Sequence, residues 1–457
     1  MPFEPHVLLP NPEQRQQILG VLQSALDAVD PAAAVKRTLR CSGDSLHVGE
    51  QQWPLSQYRR IILLGLGKAA TPMARAVLDA GVPISQGCIV TKEGHGPANP
   101  RDLAPIILYE AGHPTPDVGS VNAATHIAEL ARSATAEDLI LLLISGGGSA
   151  LLTLPAPGLS LEAMQATTDL LLASGANIHQ INSVRKHLSQ LKGGQLARWA
   201  APATIVSLVL SDVLGNDLDV IASGPVAPDP STWQQAWEVI SHYQLAQRLP
   251  PAVRQHLRRG LAGQLPETPK PGDPIFAHVH QHIIGDLSHA AAAAHHAARA
   301  QGLHSVILDT NIQGEAREVA KTLVRLGRDV LARHHPVAPP ACLVSGGEVT
   351  VTLRGSGKGG RNQELALAAA MQLDQNPTEP ISIVALATDG TDGPTDAAGG
   401  LVDAQSCQRG RAAGLNPQHH LHQNNAYPWL RATHDLLITG PTRTNVNDLY
   451  LVFIFDA

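Results

Sequence analysis

Aromatic side chains are scarce. Phe, Trp and Tyr make up 3% of 457 residues, so any core has to be built from Leu, Ala, Val and Ile. Cysteine is scarcer still: Cys41, Cys88, Cys342 and Cys407 are scattered and form no C-x-x-C pair, which excludes a zinc ribbon or disulfide framework and fits a reducing cytoplasm. There is no long basic run, and a formal charge of −6 leaves no electrostatic footprint for nucleic acid. No apolar run reaches the length of a membrane span. Met1 to His6 lacks a basic region followed by an apolar core, so neither an anchor nor export is expected. A Walker A loop is also missing, because neither Gly65 to Thr71 nor Gly355 to Arg361 has the G-x-x-x-x-G-K-[ST] spacing.

What is present is an aliphatic chain punctuated by glycine. Hydrophobic residues are 44% and charged residues 16%, the balance of a globular protein that buries much of its surface, and the length predicts two domains. The proline-rich stretch 265–274 reads as the linker, giving a Rossmann-like N-terminal domain over 1–264 and a second α/β domain over 275–457.

Leu139 to Ile144 is an unbroken aliphatic run of strand length, as expected of a parallel strand buried on both faces. It runs into Ser145-Gly146-Gly147-Gly148-Ser149, where backbone amides and two hydroxyls can turn toward a small anion with no Cβ in the way. The competing reading is a tight strand-to-helix turn that needs glycine for geometry alone. Upstream, Ile61 to Leu64 leads into Gly65-Leu66-Gly67-Lys68-Ala69-Ala70, a G-x-G-x-x-A dinucleotide fingerprint. Two details argue against NAD: Lys68 lies inside the turn, and Glu93, the acid after the next strand, follows Lys92. His113, in a proline-flanked loop, is either a ligand or acid/base group or a structural hydrogen-bonder.

Further along, Arg185, Lys186 and His187 precede Lys192-Gly193-Gly194, and Ile205 to Leu210 ends in Ser211-Asp212 and Asp217, carboxylates that suit either a phosphate-linked magnesium or a helix cap. His278, His280 and His282 alternate on one strand face, as metal ligands or as a polar face. In the second half, the glycine-rich loop Arg354 to Arg361 opens a helix, which describes an anion site. Asp389, Asp392 and Asp396, spaced through glycines, form either a cation site or a capped turn.

Together these motifs resemble the glycerate 2-kinases, whose C-terminal part, about 340–455 here, is called MOFRL. The resemblance rests on GLGKAA at Gly65, EAGHPTPD at Glu110, ISGGGSALL at Ile144, INSVRKHLS at Ile181, LSDVLGNDLDVIASGP at Leu210, SGGEVTV at Ser345, GKGGRNQELAL at Gly357, ATDGTDGPTDAAG at Ala387 and TGPTRTNVND at Thr439. It implies two α/β domains, each with a mostly parallel sheet flanked by helices, and an active site in the cleft between them. The implied reaction moves the ATP γ-phosphate to the 2-hydroxyl of D-glycerate with Mg2+, the partner expected being this small molecule, with a homodimer as the candidate assembly. By resemblance Lys68 and Arg361 are the catalytic residues, and Gly359 and Gly360 contact phosphate. The Ser145 to Ser149 loop with Arg185 or Lys186 holds the carboxylate, and Asp212, Asp389 or Asp392 holds the metal or orients the attacking hydroxyl. Two positions depart from the family pattern: Arg443 stands where glycine is usual, and Asn216 where an acidic residue is usual. The rival reading is an NAD(P)H-dependent hydroxypyruvate reductase built on the Gly65 turn; a third is a catalytically idle binder.

Overall fold

The computed structural model describes residue 3 and residues 11–456, so the targeting reading of Met1 to His6 lies, Phe3 aside, outside the described residues. Contacts divide the chain into two compact units, Pro31–Ile284 and a second made of residues 11–30 with 285–456. The proline-rich stretch 265–274 therefore lies inside the first unit. The N-terminal helix Pro12–Ala28, capped by the Asn11 side chain, belongs to the second because its buried stripe packs on the helix Leu287–Ala300. Among the described residues no single helix is long and apolar enough to cross a membrane.

The first unit is built on six strands: β1 (Arg60–Leu66), β2 (Gln86–Lys92), β3 (Ile106–Ala111), β4 (Asp138–Ile144), β5 (Thr204–Leu210) and β6 (Val279–Gly285). Their order is β3-β2-β1-β4-β5-β6, with parallel pairing from β3 through β5. Every residue of β4 is buried, as its aliphatic run predicts. Arg60 and Asp138, which face each other in the β1–β4 register, lock it with a two-pronged ion pair at 2.8 and 2.7 Å. The strand order reverses between β1 and β4, and in open α/β sheets ligands bind at the carboxyl ends of the strands beside such a reversal. The Gly65 turn and the Ser145 loop leave the sheet at that point. The histidines of β6 form a polar face: His280 and His282 pack edge-on against Trp53 of a three-stranded antiparallel ribbon, residues 39–54.

The second unit confirms the α/β class but corrects the expected strand direction. Its strands are β7 (His304–Glu315), β8 (Ala341–Thr350), β9 (Ile381–Ala387), β10 (Gly399–Asp403), β11 (Leu436–Leu437) and β12 (Asp448–Ile454), in the order β7-β8-β12-β9-β10-β11. Only β7 and β8 are parallel; the other pairs run antiparallel. The reason is the last strand. β12 inserts between β8 and β9 and pairs antiparallel with both, and this brings its first residue, Asp448, level with Gly347 and Ala387 at their carboxyl ends. The helices Ala316–Arg333 and Arg361–Leu373 cover this sheet with buried alanine and leucine, and Trp429 and Tyr450 are the largest side chains in the core.

Candidate active site

Each unit carries one glycine loop at the carboxyl edge of its sheet, and the two loops are built differently. In the first unit the Gly65 turn is clamped to the Ser145 loop. Lys68 N donates to Gly146 O at 2.9 Å, Ala69 N to Ser145 Oγ at 3.0 Å, and Ser145 N to Leu66 O at 3.0 Å. Gly67 is left-handed and lies so close to Ser145 that a Cβ there would collide with it. The amides of Gly146, Gly147 and Ser149 have no partner among the described residues, so the loop keeps an open anion nest while the amides of the Gly65 turn are used up.

Two side chains stand over that nest. A Cβ on Gly147 would lie 2.9 Å from His113 Cδ2 and 3.4 Å from Lys68 Cγ, which places the imidazole and the lysine stem directly on the glycine face. No carboxylate pairs with Lys68 among the described residues. Burial, with Lys68, Lys92 and His95 nearby, holds His113 down to about 4, so the imidazole is neutral at pH 7. Asp212 lies against Gly146, close enough that any side chain at that position would press into its carboxylate.

The cations expected beside the nest behave differently from one another. Lys186 is buried and bonded to Asp219 at 2.8 Å and Asp229 at 3.2 Å, so its charge is already matched by two carboxylates. Arg185 reaches Thr168 Oγ1 at 3.4 Å, and burial lowers its pKa. Lys192 is wholly buried and donates at 2.6 Å to both Ser149 O and Leu152 O, fixing the back of the loop. Burial and the Arg185 charge push it down to about 7. Behind Ser149, Ser223 Oγ lies 2.9 Å from Ser149 Oγ and 3.0 Å from Asn182 Oδ1. Ala222, Ser223 and Gly224 are all left-handed, with φ of 52, 60 and 60°.

In the second unit a cavity of about 840 Å³ lies along the loop 355–361, its lining including the apolar Val349, Val351 and Leu353 and the polar Asp389, Asn445 and Asp448. Arg361 is the first residue of the 13-residue helix, and the amides of Gly359, Gly360 and Arg361 have no partner among the described residues. Its guanidinium is held by Asp448 and Glu348. Asp392 is not arranged as a metal ligand. Its two oxygens accept from Asn362 N at 3.2 Å and Gln363 N at 2.8 Å, capping the helix from outside, and burial raises its pKa. Asp389 Oδ1 accepts from Thr391 N at 3.0 Å in a turn at the cavity wall. Among the described residues no three His, Cys, Asp or Glu side chains gather as a metal-binding group.

Comparison with known proteins fits this pair of loops. A profile described as Domain of unknown function (DUF4147) matches residues 17–258, and one described as MOFRL family matches 341–448. The chain is 41% identical to a D-glycerate 2-kinase of Thermotoga maritima, over 97% of this chain and 99% of the relative. It is 40% identical to a glycerate 2-kinase of Pyrococcus horikoshii, over 95% and 96% respectively. The chain belongs to the glycerate 2-kinase family. The crystal structure of the glycerate kinase of Thermotoga maritima superposes with a TM-score of 0.86 at 40% identity, covering 97% of this chain and 100% of that one. Within the same family, a relative from Agrobacterium vitis, 42% identical over 86% of this chain and 99% of its own length, carries the name putative hydroxypyruvate reductase.

Both departures from the family pattern adopt left-handed backbone, Asn216 at φ 60° and Arg443 at φ 65°. Asparagine adopts that conformation readily and arginine only at a cost, which accounts for glycine being usual at the second position. Sequence reading missed Ser223, Asp448 and Glu348 as parts of the two loops. All three lie in quoted motifs, but Ser223 and Asp448 meet partners 74 and 87 residues away along the chain, and Glu348 meets Arg361 of the next motif.

Proposed function

We propose that this protein is a glycerate 2-kinase, transferring the γ-phosphoryl group of ATP to the 2-hydroxyl of D-glycerate to give 2-phosphoglycerate and ADP. The observation that carries the reading is Lys68, whose stem lies over an open amide nest beside a neutral histidine and which has no carboxylate partner among the described residues. Phosphoryl transfer needs positioning and charge compensation more than covalent chemistry. We assign compensation on the transferred group to Lys68 and Arg361. The Gly146 and Gly147 amides receive the acceptor carboxylate, and the Gly359 to Arg361 amides receive nucleotide phosphate.

Magnesium fits the donor set in a limited way. A nucleotide-bound divalent cation takes only one or two protein carboxylates and keeps phosphate and water for the rest. Asp389 and Asp212 are the candidates, since Asp392 is committed to the helix. When bound, the cation supplies charge neutralisation on the phosphates. Four unpaired thiols suit the cytoplasm as the working compartment.

The reductase reading lacks the same support. A dinucleotide pyrophosphate needs the amides of the G-x-G-x-x-A turn, and here Lys68 N and Ala69 N are taken by the neighbouring loop. The deciding experiment incubates purified protein with D-glycerate, ATP and magnesium and identifies the product, beside a cuvette of hydroxypyruvate and NADH. Magnesium-dependent 2-phosphoglycerate is the expected result. NADH oxidation with no phosphoglycerate would overturn it.

A further inference from the structure

We propose that Ser149 reads a hydroxyl group of the acceptor acid: its Oγ accepts a hydrogen bond from that hydroxyl and does not donate to the carboxylate. The identity of the acid rests on the kinase reading, whereas the direction of the bond rests on the Asn182 amide presenting its Oδ1 to Ser223.

The argument is a count of protons. Ser223 Oγ lies 3.0 Å from Asn182 Oδ1, and a carbonyl oxygen can only accept, so the single hydroxyl proton of Ser223 is used there. Ser149 Oγ, 2.9 Å from Ser223 Oγ, must then supply the proton of that second bond. Nothing is left on Ser149 to donate outward, only lone pairs. A carboxylate or phosphate has no proton to offer them, but an alcohol does. The nest therefore divides its work: amides for the anion, Ser149 Oγ for the alcohol.

The relay is held too firmly for Ser149 to turn round at little cost. Ser223 is fully buried and Asn182 is 2% exposed, while Ser149 is half-buried. Ser223 is fixed within the left-handed run Ala222 to Gly224, a conformation that L-residues disfavour and that persists only where surroundings enforce it. Gly148 supplies part of that enforcement, since a Cβ there would lie 2.8 Å from Ala222 Cβ. Lys192 holds the Ser149 carbonyl from behind at 2.6 Å. If the Asn182 amide were reversed, its NH2 would donate to Ser223, the relay would run the other way, and Ser149 would point its proton at the anion. The two directions predict opposite ligand preferences.

The test is calorimetric titration of the full chain with D-glycerate and with propionate, which keeps the carboxylate and has no hydroxyl, read directly or by displacement of D-glycerate. Ser149→Ala is expected to weaken D-glycerate binding about 2- to 10-fold, the worth of one neutral hydrogen bond, and to leave propionate unchanged. Ser223→Ala frees the Ser149 proton, so D-glycerate weakens while propionate holds or tightens. Asn182→Asp, an acceptor at both oxygens, keeps the wild-type preference for D-glycerate over propionate, and thermal melts establish that each variant is folded. Equal weakening of both acids by Ser149→Ala, or weakening of neither, overturns the proposal. Wild-type protein that binds D-glycerate with this pattern yet makes no 2-phosphoglycerate sinks the kinase reading alone. Failure of the wild type to bind D-glycerate sinks both.

Discussion

Arg361 holds Asp448 through two parallel bonds, Nε to Oδ2 at 2.6 Å and an Nη to Oδ1 at 3.2 Å, and reaches Glu348 Oε1 with a third donor at 2.6 Å. A guanidinium has five N–H bonds, so this clamp fixes the group and still leaves donors for a phosphate. Asp448 is 1% exposed, and its burial pushes it up to about 6 even with the arginine beside it.

Replacing Arg361 should therefore have two separable effects. Arg361→Ala is expected to lower kcat by about 10³-fold or more, the scale of an arginine acting on a transferred phosphoryl group. Arg361→Lys keeps the charge but cannot bond two oxygens at once, and should recover only a small part of the activity. The alanine variant also removes the charge that favours ionised Asp448, so that carboxyl is raised further. A folded-state pKa above the unfolded value means the folded chain binds the extra proton, and stability falls as pH rises through that window. Melting curves at pH 5 and pH 8 should accordingly show a larger loss at pH 8; an equal loss would remove Asp448 from the argument.

Lys68 and Lys186 should fail in opposite ways. Lys68 has no carboxylate partner among the described residues, so Lys68→Ala should cut turnover by several orders of magnitude while Tm stays near wild type. Lys186→Ala leaves Asp219 and the fully buried Asp229 without their cation and is expected to cost about 3–5 kcal/mol of stability, visible as a lower midpoint in urea. Wild-type turnover in Lys68→Ala would remove the mechanism.

Arg443 is exposed and sits at φ 65°, and no hydrogen bond or ion pair of its side chain is found among the described residues. Arg443→Gly is expected to stabilise the protein by about 1 kcal/mol, the usual cost of a left-handed L-residue set against the greater freedom of glycine when unfolded. A lower Tm for this variant would mean that Arg443 is held by an interaction worth more than the strain.

His113 gives a pH signature. Its folded-state pKa of about 4 lies below the ordinary 6.5, so in between the unfolded chain binds a proton that the folded chain does not. Its contribution to stability is complete above pH 6.5 and is lost as pH falls toward 4. Comparing Tm between pH 7 and pH 4.5, wild type should lose more than His113→Gln. Parallel curves would show that the imidazole is not shielded as the geometry requires.

How much of this was legible in the sequence differs between the two units. Leu139 to Ile144 announces a strand buried on both faces because burial on two sides leaves no polar alternation, and β4 is buried at every residue. The Gly65 and Ser145 turns were legible for a similar local reason: a left-handed or crowded backbone demands glycine where it occurs. Lys68 could be picked out because it stands inside such a turn. The ion pairs of Lys186 were not legible, because a cation on a helix looks the same whether it faces a ligand or two distant carboxylates.

What the sequence alone determined is thus what local physics can enforce: the α/β class, the aliphatic strands, the glycine turns, and the motif blocks that place the chain in its family. Tertiary structure decided the rest. The direction of the second sheet depends on β12 returning between β8 and β9, a choice no local pattern encodes. That return brings Asp448 to Arg361 across 87 residues of chain, and a separate packing step brings Ser223 to Ser149 across 74. Hydrophobic periodicity specifies which face of an element is buried; only the packed chain decides which polar groups meet there, because each pairing depends on two surfaces that are distant in sequence.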